Sequence, residues 1–62
     1  MTRTEYAILI KKWYRTHTGD YNYIWTEYSG FRYLDKEEAE KDLYILIRAG
    51  VEVMLKEVLV DV

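Results

Sequence analysis

Few side chains in this chain of 62 residues could carry out chemistry. His17 is the only histidine and there is no cysteine, so no second imidazole and no thiolate is present to share a metal ion with it. A Ser-His-acid arrangement would have to use Ser29, and at about 3.3 Å per extended residue ~30 Å of chain separates it from the loop that carries His17. Asp35, Glu37, Glu38, Glu40 and Asp42 form an acidic run that could suggest a metal site or a phosphate mimic. Lys36 and Lys41 interrupt that run, however, and helix starts favour Asp and Glu, so capping and solvation account for it. Gly19, Gly30 and Gly50 stand singly and make no phosphate-binding loop. The expectation is a protein without catalytic residues, cofactor or metal.

A more informative cluster combines bases with aromatics. Lys11, Lys12, Trp13, Tyr14 and Arg15 precede a turn, and Tyr21, Tyr23 and Trp25 follow it. Aromatic rings interleaved with cations on a sheet can stack nucleobases and hold phosphates. Tyr, Trp and Arg also dominate the energetics of protein interfaces. A third reading is structural, because cross-strand aromatic pairs stabilise small sheets. The net charge of −2 shifts weight from nucleic acid towards a protein partner without excluding a local basic patch.

These residues need elements to position them. Half of the residues are hydrophobic and seven are Tyr, which is the opposite of a disordered composition, so the chain should fold as one domain over 1–62. A chain this short buries only about 60% of its unfolded surface, and with no Cys to form disulfides the remaining route to extra stability is self-association. No apolar run approaches the length of a membrane span, and the start MTRTEYAILIKK lacks the apolar core and small-residue cleavage site of a signal peptide. A cytoplasmic location is the default expectation.

Residues 34–50, LDKEEAEKDLYILIRAG, predict the single helix. Asp35 is a good N-cap and Glu38 stands three residues on as the other half of a capping box, while Arg48 and Gly50 suit the end. Ala39, Leu43, Leu46 and Ile47 make one apolar stripe, Tyr44 and Ile45 are expected at its half-buried edge with contact to a partner as the alternative, and Leu34 is placed to pack on Ala39 as a staple. Residues 4–14 predict a first strand that is apolar on both faces: Tyr6, Ile8 and Ile10 form one row, and Ala7, Leu9 and Trp13 form another that Lys11 interrupts. After a turn through RTHTGD, residues 21–28 alternate as a second strand.

The third strand follows Gly50. Its parity changes midway, because Val51, Val53 and Leu55 are apolar on odd positions whereas Val58, Val60 and Val62 are apolar on even ones. A β-bulge near Lys56-Glu57, or a tail that leaves the sheet to pair elsewhere, would account for the switch. The expected fold is α+β, ββαβ, with a three-stranded antiparallel sheet in order 2-1-3 and one helix on a face. The tail Val58, Leu59, Val60 and Val62 has only Asp61 as a guard and is expected to form a homodimer interface.

In its size, its lack of Cys, and the layout of an aromatic hairpin, YNYIWTEYSGFRY, followed by the capped helix LDKEEAEKDL, the chain resembles the very short single-domain accessory proteins of bacteriophages, a group that includes anti-CRISPR and other anti-defence inhibitors. The resemblance implies a non-catalytic protein that binds a bacterial protein complex in the host cytoplasm, often as a dimer. It carries over no site residue. A small nucleic-acid-binding module using the basic and aromatic hairpin is the alternative.

Overall fold

The computed structural model describes residues 1–28, 30 and 32–62. Its elements run β1 (Thr2–Arg15), β2 (Tyr21–Glu27), α1 (Lys36–Arg48) and β3 (Val53–Asp61). They form a three-stranded antiparallel sheet in the order β2-β1-β3. This is the expected α+β architecture.

The sheet is staggered around β1. At about 3.3 Å per residue, its 14 residues span ~46 Å, and the longest extent of the molecule is 46 Å. β2 pairs with one half of β1, from Leu9↔Glu27 to Arg15↔Tyr21, and β3 pairs with the other, from Thr2↔Asp61 to Ile10↔Val53. Two ribbons therefore project from a short three-stranded centre. There Tyr28 donates its N–H to the Ile8 carbonyl at 2.8 Å, and Tyr33 exchanges both backbone bonds with Tyr6, each at 2.8 Å.

The core sits where α1 crosses β1 and β3. Ile8, Tyr33 and Ala39 are its buried members, with Tyr6, Tyr28, Leu43, Leu46, Val53 and Leu55 packed around them. Ala39 is fully covered, and its small side chain lets the helix approach Ile8 closely. Asp35 caps α1 by accepting the Glu37 N–H at 3.0 Å. Among the described residues Glu38 makes no return bond to the cap. At the other end Gly50 has φ +82°, Gly50 N–H bonds the Ile47 carbonyl and Val51 N–H bonds that of Leu46, both at 3.0 Å, which closes the helix in a Schellman motif.

Three further expectations need correction. Leu34 is exposed rather than stapled to Ala39, because Tyr33 takes the place beside the core. Tyr44, Ile45 and Ile47 are at least half exposed: the sheet beneath α1 is too narrow to cover more than the Ala39–Leu43–Leu46 line. There is also no bulge at Lys56-Glu57 and no departure of the tail. The β1–β3 register advances residue for residue throughout, and the tail pairs with Thr2–Glu5 of its own chain.

The parity switch is real, but its cause is a change in which face is covered. Val53 and Leu55 face the helix, whereas beyond Glu57 the helix no longer overlies β3 and the half-buried Val58 and Val60 lie on the opposite face. β1 shows the same exchange. Ile8 is buried towards the helix, while Ala7 and Glu5 are buried on the other side. Glu5 is only 8% exposed and is held there by Arg3 at 2.7 Å and Arg32 at 3.6 Å. Arg32 also binds Glu27 at 3.1 Å, so its guanidinium links the Glu5 carboxylate on β1 to that of Glu27 on β2.

Candidate interaction surface

The pairing register sorts the basic and aromatic hairpin by face. Lys11↔Trp25, Trp13↔Tyr23 and Arg15↔Tyr21 are direct partners, so these six side chains share the sheet face away from the helix. Lys12↔Ile24 and Tyr14↔Asn22 lie on the opposite face. The cluster read as one site in the sequence is thus two rows, of which the first is the candidate surface. Leu9 and Met54, paired with each other, continue it towards the centre of the sheet.

Within that row Lys11 links the rings. Its ammonium sits 4.0 Å from the centroid of the Tyr23 ring and 4.8 Å from that of Trp13, within cation–π range of both. The two rings meet edge to face at 5.1 Å and 62°. Glu52, just before β3, approaches the same ammonium at 3.5 Å, placed there by the bond from Lys11 N–H to its carbonyl at 3.0 Å. Lys11 therefore does not interrupt the apolar row: its stem fills a gap in it and its charge is matched on the spot. Glu52 is the surface residue that hairpin-centred sequence reasoning missed. The signal available was its shared parity with Met54 on the third strand.

The rings remain open to solvent. Trp13 is 57% exposed, Trp25 37%, Tyr23 43% and Tyr21 70%. The helix packs on the other face of the sheet, so among the described residues no second layer lies over the rings. Arg15 stands at the tip, its guanidinium near Gly19.

The remaining reactive side chains are occupied structurally or scattered. His17 is exposed in the loop 16–20, which is closed by Thr16 N–H to the Asp20 carbonyl at 2.7 Å and Gly19 N–H to the Thr16 carbonyl at 3.0 Å. Ser29 lies outside the described residues. Asp35 caps the helix and Asp42 accepts the Tyr33 hydroxyl at 2.5 Å. Burial, and then that bond to Asp42, push the Tyr33 hydroxyl up to about 12. The hydrogen bond to Glu27 raises the Arg32 guanidinium above its ordinary value. Among the described residues no three His, Asp or Glu side chains converge as metal ligands would, and no helix is long and apolar enough to cross a membrane.

The tail residues also divide by face. Val58 and Val60 are half-buried on the open face, Leu59 is 73% exposed on the helix side, and Val62 is exposed with its N–H bonded to the Met1 carbonyl at 3.0 Å. Compared with protein-family models, curated proteins and solved structures, the chain matches none.

Proposed function

We propose that this protein is a small non-catalytic protein-binding module that acts by surface complementarity, with the open face of the β1–β2 arm as its recognition element. The observation that carries this reading is an exposed row of Trp13, Tyr23 and Trp25 around a lysine whose charge Glu52 already matches. A phosphate-binding platform needs uncommitted cations beside its rings. Here Lys12 is on the other face and Lys11 is held over the rings, which leaves Arg15 at the tip. Rigid aromatic anchors with little surplus charge suit a desolvated protein interface. In keeping with the bacteriophage resemblance, the partner is a bacterial protein, such as a component of a defence complex, and the module works as a homodimer in the host cytoplasm.

Affinity capture from nuclease-treated bacterial lysate, with wild type and Trp13→Ala/Trp25→Ala side by side, tests the reading. The expected result is a protein retained by wild type and lost by the variant, with unchanged circular dichroism of the variant showing that it still folds. Retention of the same protein by both would sink the assignment of this face. A wild type that retains only nucleic acid, in nuclease-free lysate and with steep salt sensitivity, would favour the alternative module.

A further inference from the structure

The two edges of the sheet are unlike. Along β2 the outward backbone groups belong to odd-numbered residues, because Tyr28 N–H points inward to the Ile8 carbonyl. One of those outward groups, the Tyr23 N–H, is capped by the Asn22 side chain at 2.8 Å. Along β3 the inward groups belong to even-numbered residues, since the Glu52 carbonyl and the Val62 N–H both bond β1. Val53, Leu55, Glu57, Leu59 and Asp61 therefore turn their N–H and C=O groups outward, and among the described residues no side chain caps them. A nine-residue edge of this kind is a template for another strand.

Resting on the homodimer reading above, we infer that the occupant of this edge is β3 of a second copy, paired antiparallel about a two-fold axis at Val58. A two-fold axis normal to the sheet keeps each residue on its own face, so only residues of equal parity can oppose one another. Charge then selects the register. Axes at Lys56, Glu57 and Val58 are those that pair at least seven residues of β3 with its copy, and of these the first two would set Lys56 against Lys56 or Glu57 against Glu57. With the axis at Val58, Lys56 faces Val60, Glu57 faces Leu59, and Leu55 faces Asp61, so no like charges stand directly opposite one another. The outward groups of residues 55–61 then form about eight backbone hydrogen bonds. Val58 meets its own copy, and the exposed Leu59 comes diagonally across from Leu55 of the second copy, next to that copy's helix.

This pairing supplies what the monomer lacks. Among the described residues the buried apolar core is only Ala7, Ile8, Tyr33 and Ala39, little for a domain to stand on alone. The result is one six-stranded sheet with both helices on one face and an aromatic arm at each outer edge.

Sedimentation equilibrium at micromolar concentration decides between registers by charge reversal. Wild type is expected at twice the 7.5 kDa chain mass. Leu59→Glu changes a side chain that is exposed in the monomer and sets it against Glu57 of the other copy twice over, so the mass should fall by half. Adding Glu57→Lys to that variant restores two opposite-charge pairs and should restore the dimer, with circular dichroism confirming the fold of each variant. A monomeric wild type would overturn both this inference and the homodimer reading. A dimer indifferent to Leu59→Glu, or one lost but not restored by the double variant, would overturn the Val58 register and leave the dimer reading standing.

Discussion

At the scale of single residues, Lys11 and Tyr33 show how much a side chain's role depends on what surrounds it. Tyr33 supplies a backbone bridge to β1, a buried ring and a hydroxyl bond to Asp42. Tyr33→Phe keeps the ring and removes the bond, and should cost about 1–2 kcal/mol in chemical denaturation. The same residue gives the fold an alkaline limit. Its hydroxyl titrates near 10 when unfolded and about 12 when folded, so between these values the unfolded chain has lost a proton that the folded chain keeps. That contribution is whole below about pH 10 and declines towards about pH 12, and stability measured against pH should fall less steeply there in Tyr33→Phe than in wild type. Lys11 was partly legible. Alternation separates Lys11, Trp13 and Arg15 from Lys12 and Tyr14, but the ammonium's place over two rings depends on rotamers and on Glu52 from a distant strand, which no local pattern encodes.

At the scale of elements, the helix was the most legible part because its signals are local: a capping Asp35, acids in the first turn, Arg48 in the last, and a glycine at the stop. Gly50 has positive φ and open space where a Cβ would go, so Gly50→Ala should cost about 1–2 kcal/mol through backbone conformation alone, read as a lowered melting temperature with unchanged helix content. The third strand was legible in kind and misread in cause. An apolar pattern that changes parity is the same in sequence whether the backbone slips or the covered face changes. Only the length of the helix relative to the strand tells them apart, and α1 ends its cover near Leu55 while β3 runs on to Asp61. The exposure of Tyr44, Ile45 and Ile47 has the same origin, in a sheet too narrow at that point to bury a second helix stripe.

At the scale of the whole molecule, a long central strand with partners on opposite halves makes a thin body, 14 Å in its shortest extent, with two projecting ribbons. The order 2-1-3 was legible from element order and handedness, whereas the stagger was not, because it depends on where each pairing begins along β1. The stagger carries the aromatic arm beyond the end of β3, and its ring face is the one turned away from the helix. Trp13 and Trp25 are the only tryptophans in the chain and both lie on that face, so intrinsic fluorescence reports on it without a label. The most direct measurement is tryptophan emission of the full chain titrated with the protein obtained by affinity capture, at low and at high salt. A saturable shift to shorter wavelength that persists at high salt is expected, because the rings pass from water into a protein interface that depends little on charge. Emission that stays unshifted while the partner binds, or a shift given only by single-stranded nucleic acid and abolished by salt, would contradict it.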